Sequence, residues 1–83
     1  MFKAGDKLFI RTVTFHHVGE VVEEADGFLR LKGASWVAES GRFHTALEEG
    51  ELAEVEYVGD AFVNVATIVD VFPWTHDLPT ESK

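Results

Sequence analysis

Between Lys7 and Phe15 the chain sets Phe9, Arg11, Val13 and Phe15 against Leu8, Ile10, Thr12 and Thr14, a two-residue alternation rich in β-branched side chains. That pattern predicts a strand with two usable faces. Val18-Gly19-Glu20-Val21-Val22 follows as a second strand, and a glycine inside a strand marks a bulge or a barrel corner. Asp26-Gly27 is a hairpin signal, because both residue types tolerate positive φ. The third strand is then Phe28 to Lys32, bent at Gly33 before Ser35-Trp36-Val37. Residues 17–32 are expected to form a tight bent hairpin with Val22, Leu29 and Leu31 facing the core.

The pattern changes after Glu39. Ser40 is placed to cap a short helix in which Phe43, Ala46 and Leu47 share one side, and Gly50 is placed to stop it. A helix of two to three turns depends on packing more than on its own propensity. Leu52 to Val58 alternates Val55 and Tyr57 with Glu54 and Glu56, as in an exposed strand or arm, and Gly59-Asp60 predicts a turn. Phe62 to Phe72 is long for one strand of a small barrel, so a one-turn break is expected near Asn64 to Ala66, with Pro73 ending the sheet. The fold class is therefore mainly β, a small, strongly bent, five-stranded antiparallel barrel with one short inserted helix. Residues 1–75 make a single domain, with the helix at about 40–50, and residues 76–83 a flexible polar tail.

Eighty-three residues are near the size at which one core barely offsets the entropy lost on folding. The chain has no cysteine, so no disulfide adds stability, and a zinc site would have to be built from His, Asp and Glu alone. With 46% hydrophobic residues, including seven Phe and two Trp, further burial is expected from association with other copies.

The formal charge is −8, and Glu48, Glu49, Glu51, Glu54, Glu56 and Asp60 fall in a stretch without Lys or Arg. Such a surface repels phosphate backbones and anionic lipid over roughly 8–10 Å at physiological salt. Duplex DNA and membrane are thus not expected as partners. The acidic run reads as a solvated face, with docking of a basic protein as its alternative. No apolar stretch has the length of a signal peptide or of a membrane span, so the cytosol is the expected compartment.

Little in the chain points to catalysis. There is no phosphate-binding glycine loop followed by Lys-Ser or Lys-Thr, and no Gly-x-Ser-x-Gly elbow. Ser35 and Ser40 lack a demonstrable base, and Glu23-Glu24 and Glu48-Glu49 read as solvated charge. His16 and His17 are adjacent and so point to opposite faces of a regular strand, while His44 and His76 lie in the helix and the tail. No metal site and no cofactor are expected. Trp36 and Trp74 are candidates for a subunit interface, because Trp is large and enriched where chains meet.

The run Val18-Gly19-Glu20-Val21-Val22, then Asp26-Gly27-Phe28-Leu29-Arg30-Leu31 and Gly33-Ala34, resembles the first motif of the Sm, LSm and Hfq family of small barrels, an SH3-like architecture. Val63-Asn64-Val65-Ala66-Thr67-Ile68-Val69-Asp70-Val71 resembles its second motif. The likeness spans about residues 7–38 and 61–72. This chain departs from the pattern by placing its helix between the third and fourth strands and by having only seven residues available for the amino-terminal helix with which the family usually begins. Acidic Sm-like proteins of bacterial or phage type are the nearest comparison.

That resemblance implies a homo-oligomeric ring in which neighbouring subunits pair edge to edge, and loops at the pore that bind uridine-rich RNA. Phe28 would stack on a base and Asn64 would offer its amide. Leu29 stands where the family has Asn, and Asn64-Val65 where it has Arg-Gly, so RNA binding is expected to be weak or absent. The leading expectation is a non-catalytic structural or protein-interaction module in a ring of five to seven subunits. A single-stranded RNA binder is the alternative, and a small metal-dependent enzyme the outside one. Val63, Val65, Ile68 and Val69 join Trp36 and Trp74 as candidate interface residues, because the last two strands carry few charges to blunt their edges.

Overall fold

A computed structural model describes residues 2–81. It contains β1 (Lys7–Thr12), β2 (His16–Ala25), β3 (Phe28–Glu39), α1 (Phe43–Glu49), β4 (Glu54–Asn64) and β5 (Ile68–Pro73), with one 3₁₀ turn at Val65–Thr67. All five strands form one antiparallel sheet in the order β4-β3-β2-β1-β5. The fold class is that expected from the alternation, a small and strongly bent barrel-like sheet.

Local chemistry explains the bends. Asp26 (φ 54°) and Gly27 (φ 81°) both adopt the left-handed conformation that a two-residue hairpin turn requires. At Gly19, where β2 crosses close over β3, a Cβ would lie 3.2 Å from the Cβ atoms of Ala34 and Leu31. Glycine makes that approach without strain, whereas any Cβ would force its neighbours to give by a few tenths of an ångström. β2 is irregular between Val21 and Glu23, and this shift makes Val21 the core residue instead of the expected Val22. Leu29 and Leu31 are fully buried, as expected.

Two cores share β1. Leu8 and Ile10 point into the barrel with Val21, Leu29, Leu31, Ala34 and Val63. Phe9 points the other way, into an outer core with Val18, Val37, Ala46, Leu52, Val55 and Trp74. The inserted helix and the carboxyl-terminal segment cover this second face. The chain exposes 5043 Å², close to the roughly 5,000 Å² typical of a folded monomer of this mass.

Several local expectations are corrected. Arg42, not Ser40, is the helix N-cap, and it makes no side-chain capping bond, while Gly50 (φ 73°) closes the helix as expected. Gly59-Asp60 does not turn the chain. β4 runs through it as one strand, with an irregular register against β3 between Leu31 and Ser35 that absorbs the glycine. The acidic residues of the arm are exposed, but Leu52 and Val55 anchor it in the outer core.

The segment expected to be a free tail is packed as far as it is described. His76 Nε2 donates to the Leu47 carbonyl at 2.8 Å, Lys7 Nζ donates to the His76 carbonyl at 2.5 Å, and Leu78 packs on the outer core. Apolar contact from Leu78 and backbone acceptors at positions 76 and 77 outweigh the polar composition. Residues 82 and 83 of the expected tail lie outside the described residues.

Candidate functional site

Of the six candidate interface residues, two are interior. Trp74 is 2% exposed, with its ring 5.9 Å from Phe9 and its indole N–H donating to the Asp77 carbonyl at 3.2 Å. Val63 is 3% exposed and fills the barrel. Both were expected at a subunit interface, and both are turned inward instead, Val63 from β4 into the barrel and Trp74, just past the end of β5, into the outer core. Val65 and Ile68 are half-buried against the barrel core. Val69, 60% exposed, and Trp36 remain on the surface, where Trp36 stacks on Phe15 with ring centroids 5.6 Å apart.

β4 and β5 are the two edges of the sheet, and no ladder joins them among the described residues. β5 is fixed on its inner side by β1. Arg11 Nε donates to Asp70 Oδ1 at 2.7 Å, Arg11 Nη2 reaches Asp70 Oδ2, and the guanidinium carbon lies 5.1 Å from the Phe43 ring centre. The hydrogen-bonded guanidinium holds the Asp70 carboxyl below the usual carboxylate range, reinforced by its charge and opposed by desolvation. The β1–β2 turn is also tied down. Thr12 Oγ1 accepts from the Phe15 N–H at 3.0 Å, and the Val13 N–H donates to the Thr67 carbonyl at 3.1 Å.

The two residues singled out for RNA contact are brought together. Phe28 and Asn64 are cross-strand partners on β3 and β4, and the Val65 N–H donates to the Gly27 carbonyl at 2.9 Å, joining the two turns. The Asn64 amide oxygen is already in use, accepting from the Ala66 N–H at 3.0 Å. Phe28 is 46% exposed, in an open concavity of about 350 Å³ lined by Glu23, Ala25, Asp26, Phe28, Arg30 and Phe62.

Arg30 and Phe62 are the residues of this concavity that sequence reasoning passed over. Arg30 opposes both Glu23 and Phe62 in the ladder, so the three share the outer face. Its guanidinium carbon stands 5.8 Å from the Phe62 ring centre, and its nitrogens lie 4.0 Å from Glu23 and 3.8 Å from Asp60. Those separations are ionic contacts longer than hydrogen bonds. The signal was present as Phe28-x-Arg30, two residues apart on one strand and hence on one face.

The other chemical candidates are dispersed. Ser35 is fully buried, and its hydroxyl has no hydrogen-bond partner among the described residues. His16 lies 5.9 Å from Phe9 by ring centres, and His17 opposes Ile10 and Trp36 on the other face. Burial pushes the His17 imidazole below its ordinary pKa, and neighbouring His16 adds to that. Among the described residues no group of three or more His, Asp or Glu side chains is arranged to hold a metal ion, and no helix is long and apolar enough to cross a membrane. Comparison of the chain with protein-family models, curated proteins and solved structures finds no match to any of them.

Proposed function

We propose that this protein is a non-catalytic, Sm-like interaction module that assembles with copies of itself into a ring. The observation that supports this reading is the pair of open sheet edges, β4 and β5, at opposite ends of a single strand order. An open edge presents a row of unpaired N–H and C=O groups, and proteins blunt such edges with charge, especially lysine. β5 has no lysine, its one acid is neutralised by Arg11, and Val69 is exposed on it. Joining β4 of one copy to β5 of the next is head-to-tail pairing, which closes into a ring when the rotation between copies allows. A ring of about five to seven copies is what the Sm resemblance implies for such pairing.

Sedimentation and light scattering at tens of micromolar test the proposal. A closed species of five to seven chains is expected, and Val69→Lys should reduce it to a 9.3 kDa monomer by placing a charge at the edge. A wild-type monomer at that concentration overturns the proposal. A two-fold dimer keeps the edge pairing and removes the ring.

Single-stranded RNA binding has one specific feature in its favour, the pairing of Phe28 with Asn64 beside Arg30. Glu23, Asp26 and Asp60 stand around the same place and oppose a phosphate backbone. Oligo-uridine affinity at physiological salt separates this second reading from the first.

A further inference from the structure

The concavity beside the β2–β3 turn has a chemistry that edge pairing does not use. Its floor is aromatic, with Phe62 66% exposed and Phe28 close to half exposed. Glu23 and Asp26 line it, and the Arg30 guanidinium lies 4.0 Å from Glu23 and 3.8 Å from Asp60, so one cation shares this place with three carboxylates. The carboxylates of Glu23 and Asp60 remain largely open to solvent. An aromatic face carries negative potential, and an exposed ring beside a carboxylate attracts a cation on both counts.

The molecule already holds one cation in this way. Arg30 lies over Phe62 between Glu23 and Asp60, without coming within hydrogen-bond distance of either carboxylate. We propose that the Phe28–Phe62 concavity receives a lysine or arginine side chain from a basic segment of a protein partner, with Arg30 as the resident cation that the incoming one must share the site with. Charge complementarity selects this occupant. The whole chain carries −8, and the concavity keeps an excess of carboxylate after Arg30 is counted, so a cationic peptide is attracted where a polyanion is repelled. The inference deepens the interaction-module reading by naming a partner class and a docking place. It does not depend on ring formation, because these side chains lie on a face of the sheet and edge pairing uses its backbone rim.

The test is titration of the full chain with a fluorescein-labelled decapeptide in which Lys and Arg alternate with Gly and Ser, followed by anisotropy at low and physiological salt. An isosteric peptide with citrulline and acetyl-lysine in place of the cations is the reference. Binding of the basic peptide only, weakened by salt, is expected. Phe28→Ala and Phe62→Ala should each weaken it about three- to tenfold, the loss of one cation–π contact together with the apolar contact of the ring.

Arg30→Gln is the decisive variant, because removing the resident cation should tighten peptide binding several-fold. In an RNA site the same change would weaken oligo-uridine binding. Equal affinity for both peptides, indifference to the two Phe→Ala changes, or weaker peptide binding by Arg30→Gln with circular dichroism unchanged overturns the proposal. Tighter binding of oligo-uridine than of the basic peptide does so as well. Light scattering on the same samples keeps the outcome separate from ring formation, since a monomer that binds the peptide refutes the ring alone.

Discussion

Gly19→Ala should destabilise the protein through volume alone. The backbone there is not left-handed, so alanine meets no conformational barrier. What it meets is β3. The new methyl carbon would lie 3.2 Å from the Cβ atoms of Ala34 and Leu31 and 3.3 Å from the Ala34 Cα, where ordinary contact begins near 3.4 Å. None of these atoms is the movable end of a side chain, and both residues are fully buried. The strands must therefore separate by a few tenths of an ångström where the sheet bends. Overpacking of this kind costs about 1–3 kcal/mol. In a domain of this size each kcal/mol lowers the melting temperature by about 4–8 °C, so a fall of at least about 4 °C is expected in thermal unfolding followed by circular dichroism. Gly27 supplies the contrast, since its φ is 81° and a Cβ added there would meet nothing within 4 Å. Gly27→Asn should be milder than Gly27→Ala because asparagine tolerates the left-handed region, whereas Gly19→Asn should be worse than Gly19→Ala because only size matters there. A Gly19→Ala protein within about 0.5 kcal/mol of the parent would refute the reasoning, that being the spread of changes away from packed features.

Two further outcomes are expected. Trp74→Ala should cost about 3–5 kcal/mol in urea unfolding, the range for emptying a packed aromatic site, and the loss should not depend on protein concentration. A concentration-dependent loss would return Trp74 to the subunit interface. His17 has a folded-state pKa below its ordinary 6.5, so between that value and its folded pKa the unfolded chain binds a proton that the folded chain does not. Stability should decline as pH falls below about 6.5, and His17→Gln should flatten that part of the profile. Asp70 acts lower on the scale. Its depressed pKa contributes stability above the ordinary carboxylate value of 3.8 and loses it as pH falls through the folded value, a decline that Asp70→Asn should remove.

The strands were legible because their signals are local. The alternation read from Lys7 to Phe15 appears as a strand up to Thr12, where the chain turns, and the Asp26-Gly27 turn and the break after Asn64 each appear in the fold, all depending on a few neighbouring residues. The misplaced features depend on distant contacts. Gly59-Asp60 reads as a turn until β3 is known to pair on both sides of it. Trp74 reads as an interface residue until Phe9 is seen to face away from the barrel, which creates an outer core for the indole to join. The choice of Val21 over Val22 follows from a register shift in the hairpin, and one residue of shift exchanges the faces of a strand. For the candidate site, Phe28 and Asn64 were legible as chemistry. Their neighbours Arg30 and Phe62 become part of the same place only through cross-strand register.

The shared strand β1 links these packing details to the interaction surfaces. Its barrel-facing Leu8 and Ile10 and its outward Phe9 tie both cores to one backbone, and that backbone also carries β5 through the ladder from Leu8↔Pro73 to Thr12↔Ile68. Arg11 to Asp70, Val13 to Thr67 and the Trp74 N–H to the Lys7 carbonyl add side-chain and loop connections along the same line. The open edge of β5 is therefore backed along its length by buried structure. On the opposite edge, Val55 anchors one end of β4 in the outer core and Val63 the other end in the barrel. A strand ordered before it meets a partner loses less conformational entropy on pairing, so in the proposed ring both edges would retain more of the free energy of the hydrogen bonds they form. The same anchoring fixes Phe62 next to Val63 and Arg30 between Leu29 and Leu31, so the concavity is held by the barrel core and does not need a ligand to assemble it.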